Sequence, residues 1–237
     1  ARTNGKLYNS ASISFLEPWL GGKRPNSLSV SIYFANQTGY SKRYEQAYQN
    51  LYNTYSNYYY YSGNSNYYQQ LLESEYDEDR YLRTLGASIG YGKRLRWPDD
   101  YFTFYGELSY QMYMMKDWPY LLITDGTSHN LSINLQLSRS SIDNPIYTRR
   151  GSQFTLGLKI TPPYSLIKGT TDEEYAKMTT SEKYNLLEYH KWKFSGKVFT
   201  PLSADSKLVL MARAEFGYLG HYNKNAKSPF ESYYMGG

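Results

Sequence analysis

The stretch NLSINLQLSRSSIDNPIYTRRGSQFTLGLKI, residues 130–160, decides the fold. Apolar and polar residues alternate in its first part, and the alternation resumes after a centre rich in turn-forming residues. A period of two is typical of β-strands, because successive side chains point to opposite faces of a sheet. The apolar set is Leu131, Ile133, Leu135, Leu137, Phe154, Leu156, Leu158 and Ile160, and the opposing polar set includes Asn134, Gln136, Gln153 and Lys159. The stretch therefore predicts two antiparallel strands that share one apolar face.

The same alternation recurs along most of the chain, in segments 11–15, 28–35, 85–95, 101–115, 192–200 and 208–218. With the two strands above, this gives about eight strands. No convincing long helix separates consecutive strands, which disfavours βαβ folds. The sequence predicts an all-β antiparallel meander in a single domain.

The face opposite the apolar one carries charged and polar side chains within the predicted strands. These are Glu107, Gln111, Lys159, Lys193, Lys197, Arg213 and Glu215. The water-filled lumen of a membrane barrel accepts such residues, and so does the exposed face of a soluble sheet. The period alone therefore leaves a membrane barrel and a soluble sheet open.

Connection lengths favour the membrane barrel. The connections at 17–26, 97–100, 143–151 and 201–206 are compact, whereas those at 36–80, 116–129 and 163–190 are long. Outer-membrane barrels have short periplasmic turns at one rim and long extracellular loops at the other. We therefore expect 36–80 and 163–190 on one side of the membrane, with the turns at 97–100 and 143–151 on the opposite side. Aromatic residues near strand ends also fit interfacial girdles, namely Trp19, Trp97, Tyr101, Trp118, Tyr147, Trp192 and Tyr218.

Two of the long loops contain local patterns of their own. Tyr44, Tyr48, Leu51, Tyr52 and Tyr55 follow helical spacing ahead of the run Tyr58 to Tyr61, which fits a surface helix or a disordered loop. Thr171-Asp172-Glu173-Glu174 has the form of a capping box and predicts a short helix.

Composition argues against most catalytic classes. The 237 residues include no cysteine and three histidines, so disulfide scaffolds and thiol catalysis are excluded. His129, His190 and His221 lack metal-ligand spacing, and no catalytic or phosphate-binding motif is present. The charge of +5 is scattered rather than clustered, which disfavours a nucleic-acid partner. We predict no enzyme activity, no cofactor and no metal.

The strand, turn and strand at 138–160 resemble a segment of the BamA family of outer-membrane assembly factors. In that family an Arg, an Asp and a late Gly frame a periplasmic turn. The matching residues are Arg139, Asp143, Asn144, Pro145, Tyr147, Gly151 and Ser152. Asp143 and Asn144 suit hydrogen bonds to the turn backbone, and Gly151 suits a positive φ before the next strand. Thr148 stands where the family often has proline, so a looser turn is expected.

Three further segments resemble the family in the same order: 12–34, 90–110 and 228–237. The last, SPFESYYMGG, is similar to the lead-in to the family's large inward-folded loop, with Phe230, Gly236 and Gly237 at the matching positions. The Arg-Gly-aromatic tip of that loop is absent from this sequence.

The resemblance implies that residues 1–237 are one segment of a barrel of sixteen strands. Periplasmic POTRA domains, the first strands and the closing strands would lie elsewhere. It further implies the bacterial outer membrane, folding and insertion of client outer-membrane proteins, and periplasmic and lipoprotein partner subunits. On this interpretation the strands near Ile13 and Leu210 are edges that need further strands. A TamA-like translocation barrel, a porin-type barrel and a soluble carbohydrate-binding or adhesive sheet remain alternatives.

Overall fold

The computed structural model describes residues 2–4, 7–22, 26–40, 76–205, 207–225 and 227–233. The side chains of residues 2–4 and 76 are not described. The tyrosine-rich helical pattern between Tyr44 and Tyr61 falls outside the described residues, so that prediction stays open.

Nine strands form one antiparallel sheet whose spatial order follows the chain. They are β1 (Arg2–Asn4), β2 (Tyr8–Glu17), β3 (Asn26–Tyr40), β4 (Tyr76–Arg94), β5 (Phe102–Lys116), β6 (Gly126–Ser140), β7 (Gly151–Ile160), β8 (His190–Pro201) and β9 (Val209–Gly220). The eight predicted strands and the meander are confirmed. The short β1 is an addition, and it pairs only with Asn9, Ser10 and Ala11 of β2.

Several strands extend beyond the predicted segments into the long loops. β3 runs to Tyr40 and β4 starts at Tyr76, with a register shift between Thr38 and Gly39. The apolar alternation has already stopped there. Strand pairing continues because the ladder is made of main-chain hydrogen bonds, which need no apolar side chain.

The strand register sorts the side chains onto two faces. Leu135 pairs with Leu158, and Asn134 pairs with Lys159, and directly paired residues share a face. The predicted apolar set therefore lies on one face, the apolar face, and the predicted polar set lies on the other, the polar face. The seven charged or polar residues expected opposite the apolar face also fall on the polar face, and this prediction is confirmed.

The apolar face is open to its surroundings. Ile13 is 81% exposed, Ile32 is 57% exposed and Phe216 is 61% exposed. No second sheet covers this face in the described part of the chain. Soluble proteins rarely leave so large a contiguous apolar surface uncovered, so the face requires an apolar environment.

Connections of two kinds lie at opposite edges of the sheet. The short ones, 18–25, 95–101, 141–150 and 202–208, share one edge, here called the turn edge. Those at 41–75, 117–125 and 161–189 share the other, the loop edge. The chain after β9 also leaves from the loop edge. The connections therefore alternate between the two edges, and 41–75 and 161–189 are long as predicted. The prediction of a long connection at 116–129 was wrong, because β5 runs to Lys116 and β6 starts at Gly126, so that the remaining connection is no longer than 141–150.

The connection between β7 and β8 contains three short helices, α1 (Tyr164–Lys168), α2 (Asp172–Lys177) and α3 (Thr180–Lys183). The predicted capping box at Thr171 and Glu174 is confirmed at the start of α2. Thr179 and Glu182 form a second capping box before α3 that the sequence analysis missed, although it has the same spacing. Among the described residues, no helix has both the length and the apolar composition needed to cross a bilayer.

A small apolar cluster lies at the loop edge. Met115, Trp118 and Ile123 are buried there, and Phe230 packs against them. The expectation for Trp118 was wrong, because its side chain is only 3% exposed and belongs to this cluster rather than to an interfacial girdle. The other expected girdle residues are exposed, namely Trp19, Trp97, Tyr101, Tyr147, Trp192 and Tyr218.

Candidate functional site

Glycines of β4 make room for tyrosines on the polar face. A Cβ atom at Gly86 would lie 2.2 Å from the ring of Tyr33, and one at Gly90 would lie 2.2 Å from the Tyr105 hydroxyl. The two tyrosines belong to the strands on either side of β4. The absence of glycine side chains therefore lets both rings lie across β4.

One polar network starts at Tyr105. The Tyr105 hydroxyl lies 3.0 Å from Ser29 Oγ and donates to Glu107 Oε2 at 2.9 Å. Asn134 Nδ2 donates to the other oxygen, Glu107 Oε1, at 2.9 Å. Side chains of β3, β5 and β6 are thereby linked across the polar face.

A second network lies nearer the loop edge, around Gln111. Gln111 Nε2 donates to the Tyr33 hydroxyl at 2.6 Å, while Gln111 Oε1 accepts from Tyr113 at 2.9 Å and from Asn130 at 3.0 Å. Asn130 is 1% exposed, so its side chain is shielded from bulk water. Buried polar groups of this kind keep their place only when they are hydrogen-bonded.

Two chain segments cover this part of the polar face. The first ends the β7–β8 connection, where Leu187 and Tyr189 are fully buried. The second is residues 227–233, here called the lumen segment. Its Phe230 ring stacks on Tyr113 with ring centroids 4.4 Å apart and an interplanar angle of 10°.

Glu231 fastens the lumen segment to the sheet. Its carboxylate accepts from Lys159 Nζ at 2.6 Å, from Lys191 Nζ at 2.8 Å and from the Tyr189 hydroxyl at 2.8 Å. Burial alone would raise the pKa of the Glu231 carboxyl, but the hydrogen bonds from Lys159 and Lys191, the charge of Lys159 and the hydrogen bond from Tyr189 together lower it. Glu231 is therefore held as an anion between β7 and β8.

The contacts continue to the end of the described chain. Lys191 Nζ donates to Ser232 O at 3.0 Å and lies 4.6 Å from the centroid of the Tyr233 ring. That ring lies over Gly217, where an added Cβ would approach it to 3.0 Å. The lumen segment thus crosses three strands, β7, β8 and β9, on the polar face.

The family turn motif lies at the turn edge. Two guanidinium nitrogens of Arg139 contact Asp99 Oδ2 at 2.9 Å, and Arg139 Nη1 donates to Ser141 and Ser152. Asp99 belongs to the preceding turn, so Arg139 joins that turn to its own. An Arg–carboxylate pair of this kind fixes geometry as well as adding stability.

Side chains order the 141–150 turn as the sequence predicted. Asp143 Oδ1 accepts from the backbone N–H groups of Asn144, Arg149 and Arg150, and Asn144 Oδ1 accepts from those of Ile146 and Tyr147. The Arg149 N–H, with the other backbone donors, lowers the pKa of Asp143 against the opposing effect of burial. Thr148 donates from its hydroxyl to Asn144 O at 2.6 Å, a contact that the proline often found here in the family could not make.

A family model described as the Omp85 superfamily domain matches residues 1–237. The chain belongs to the Omp85 superfamily. A crystal structure of BamA from Haemophilus ducreyi lacking POTRA domains 1-3 matches the Omp85 chain with a TM-score of 0.57 and 14% sequence identity. The match covers 97% of the Omp85 chain and 36% of that BamA chain, so the residues span about a third of its length. Curated proteins give no significant match.

The comparison confirms the predicted fold class, an antiparallel meander similar to part of the BamA barrel. In this Omp85 chain, Phe230 is placed on the polar face, while Gly236 and Gly237 fall outside the described residues. Pro145 and Tyr147 lie in the exposed turn. The roles of these motif residues remain a proposal.

Sequence reasoning missed Glu231, Tyr189 and Tyr113. Glu231 stands inside the quoted SPFESYYMGG segment, yet only the fold brings it to two lysines that are 72 and 40 residues away. Among the described residues, no group of three or more His, Cys, Asp or Glu side chains is arranged to hold a metal ion.

Gly151→Ala should destabilise the Omp85 domain by about 1–3 kcal/mol, the usual cost of a strained backbone position. Gly151 has φ +111°, and a Cβ there would lie 2.3 Å from Ser141 O. Gly157→Ala is the matched control on the same strand, because its nearest neighbour would be 3.8 Å away. Urea titration of both variants tests this, and equal losses of stability would contradict the role of the turn glycine.

Proposed function

We propose that the chain is the central part of an outer-membrane barrel that folds and inserts other outer-membrane proteins. The observation that carries the proposal is the Omp85 match over residues 1–237, combined with a fold similar to part of the BamA barrel. The covered polar face adds support. The lumen segment is fixed there by an ion-paired carboxylate, as expected for the base of an inward-folded loop.

The proposed setting is the bacterial outer membrane, with the apolar face toward lipid and the polar face toward the lumen. The turn edge is then periplasmic and the loop edge extracellular, in agreement with the short and long connections of outer-membrane barrels. Further strands of the parent protein would pair with β1 and β9, since open sheet edges are not tolerated in hydrocarbon. A total of sixteen strands, with POTRA domains before them, follows from the family resemblance.

The proposed partners are the lipid bilayer, unfolded client barrel proteins, and periplasmic and lipoprotein subunits of an assembly complex. In this proposal, folding and insertion of client proteins require no cofactor and no enzyme activity. Insertion in the family is attributed to a weakly closed junction between the first and last strands, where a client adds its own strand. Neither of those strands is assigned to residues of this chain.

A TamA-like translocation barrel is the second candidate, because the superfamily match applies to it equally. A simple porin is less well supported. Asn130 and Ser132 of the polar face are almost completely buried beneath other parts of the chain, whereas a porin lumen is lined by hydrated side chains.

Depletion of the parent protein tests the proposed function. Unrelated outer-membrane barrels should lose their heat-modifiable folded form, and unfolded chains should accumulate in the periplasm. If only one narrow class of surface proteins disappears, the translocation alternative is supported. If barrels assemble normally and solute uptake falls, the assembly proposal is wrong.

The orientation gives a separate prediction. Because the chain has no cysteine, single cysteines can report which side of the membrane a residue faces. Ile167→Cys, in the exposed α1 region, should react with a membrane-impermeant maleimide on intact cells. Tyr147→Cys, in the exposed 141–150 turn, should react only after permeabilisation. The reverse pattern would contradict the proposed orientation.

A further inference from the structure

Two cations bracket the apolar side chains of β4. Arg83 lies toward the loop edge and Lys93 toward the turn edge, and the residues between them on the apolar face are Leu85, Ala87, Ile89 and Tyr91. At about 3.3 Å per residue the two cations are ~33 Å apart along the strand, which is ~25 Å along the membrane normal at a tilt of about 40°. The apolar band of outer-membrane barrels is ~25 Å tall, so both cations lie at the level of the lipid headgroups.

Two neighbours hold the Arg83 guanidinium in a fixed geometry. Its Cζ lies 3.9 Å from the centroid of the Tyr81 ring, and its Nε donates to Asn36 Oδ1 at 3.1 Å. The side chain of Arg83 is exposed, and no atom of the described residues accepts a hydrogen bond from its Nη1 or Nη2. Each of these two nitrogens carries two N–H donors, so Arg83 has a positioned fork that can bind an anion.

The neighbouring charges leave the positive charge of Arg83 without a counter-ion. Lys116 pairs with Tyr81 across β4 and β5 and so lies on the same face, where its Nζ forms an ion pair with Asp79 Oδ1 at 3.1 Å. The carboxylate of Asp79 is thereby compensated by a different cation. No carboxylate in the described part of the chain forms an ion pair with Arg83. An anion that approaches Arg83 therefore has no carboxylate to displace.

Exposed apolar surface begins directly beside Arg83. Phe34 and Leu85 are the next pair toward the middle of the apolar face, and they are 39% and 40% exposed. A ligand that contacts both this pair and Arg83 combines an anionic group with a hydrocarbon chain. Phosphate is the anion that suits the guanidinium best, because the fork of N–H donors matches two phosphate oxygens at once.

We propose that Arg83 binds the phosphate group of a lipid headgroup at the loop-edge boundary of the apolar face. Arg83 Nη1 and Nη2 donate to the phosphate oxygens, while Tyr81 and Asn36 keep the guanidinium plane in position. The acyl chain of the lipid lies along Phe34 and Leu85. This inference rests on the membrane setting of the proposed function and does not depend on the insertion of client proteins.

Retention of radiolabelled lipid on the immobilised intact protein in detergent micelles tests the proposal. Dioleoyl phosphatidic acid should bind saturably, whereas dioleoylglycerol, which has the same acyl chains but no phosphate, should bind at least about tenfold more weakly. Equal binding of the two lipids would show apolar contact only and would overturn the proposal. Displacement of phosphatidic acid by equimolar inorganic phosphate would show a site for free anions and would overturn the assignment to a lipid.

Arg83→Gln should weaken the binding of phosphatidic acid about tenfold or more, since it removes the charge and the forked donors together. Lys207→Gln is the control with the same change of net charge. Lys207 lies in the 202–208 turn at the opposite edge of the sheet, where its exposed side chain pairs with Asp205. An equal loss in both variants would show general attraction to positive charge and would overturn the assignment to Arg83.

Arg83→Lys keeps the test decisive if Arg83→Gln does not fold. Lysine retains the charge but has neither the planar group that stacks on Tyr81 nor the fork, so phosphatidic acid should bind less tightly than to the unmodified protein. Unchanged binding in folded Arg83→Lys would contradict the role of the oriented guanidinium. Heat-modifiable migration checks the folded state of each variant. A protein that folds into vesicles but shows no preference for the phosphate overturns this proposal alone, whereas failure to enter vesicles contradicts the proposed membrane setting.

Discussion

Leu135→Arg should lower the free energy of unfolding from the bilayer by about 2–4 kcal/mol, the cost of an arginine near the midplane of an outer-membrane barrel. Leu135 lies on the apolar face of β6, where it pairs with Gly106 and Leu158. The guanidinium group of an arginine there would lie in hydrocarbon, thin the bilayer locally or extend to the membrane–water interface, and each of these costs free energy.

Gln136→Arg is the control for this substitution. Gln136 is the next residue on the same strand, and its exposed side chain lies on the polar face with Tyr105. The same charge should cost much less there, because a lumen-facing arginine stays hydrated. Urea-dependent folding of the intact protein into phospholipid vesicles measures both values. Similar costs at the two positions would show that the two faces do not differ in environment, and the membrane-barrel interpretation would fail.

Glu231→Ala should weaken docking of the lumen segment by about 3 kcal/mol, the lower end of the effect of removing one partner from a buried ion pair. The lower end applies because the side chains of Lys159 and Lys191 are each 23% exposed. The variant leaves two ammonium groups on the polar face without their shared carboxylate. The undocked population should rise about a hundredfold.

A spin label on Ser232→Cys measures this docking, because Ser232 is exposed and contributes its backbone oxygen, which the substitution keeps. The label should become mobile in the Glu231→Ala background. Glu215→Ala is the control, since Glu215 also lies on the polar face but forms an exposed pair with Arg213. If both backgrounds leave the label equally immobile, Glu231 does not anchor the segment.

Docking should also depend on pH in a defined direction. The pKa of Glu231 is lowered in the folded protein, so its contribution is fully present above the ordinary carboxyl pKa of about 4.3 and is lost as the pH falls through the lowered value. The groups that face it are Lys159, Lys191, Tyr189 and Tyr113, so Glu231 is the carboxyl group of this contact. The spin label should therefore stay immobile from neutral pH down to about pH 5 and become mobile at lower pH. Mobility that rises already at neutral pH would point to another group.

The strand pattern was predictable from sequence because the constraint is local and repeats every second residue. The apolar face can be predicted from the alternation within Leu131 to Leu137 and within Phe154 to Ile160, and no other part of the chain is needed for it. Turn chemistry is local as well, and for that reason the contacts of Asp143 and Asn144 and the positive φ of Gly151 follow from the turn sequence. The capping box of α2 belongs to the same class of local signals.

Contacts between distant segments were decided only by the tertiary structure. Trp118 is an aromatic residue near a strand end, as a girdle residue would be. It is nevertheless buried, because Ile123 and Phe230 belong to the same apolar cluster and pack there. Arg139 braces the neighbouring turn through Asp99, which no spacing within its own turn could indicate. Glu231 forms ion pairs with Lys159 and Lys191 because β7 and β8 are neighbours in the sheet and the lumen segment crosses both strands. The sequence by itself determined eight of the nine strands and the face that their side chains occupy, since period and turn chemistry act over a few residues. Only the tertiary structure decided that the lumen segment covers the polar face. The reason is that the folded sheet brings Lys159 and Lys191 within hydrogen-bonding distance of Glu231, which is far from both in the sequence.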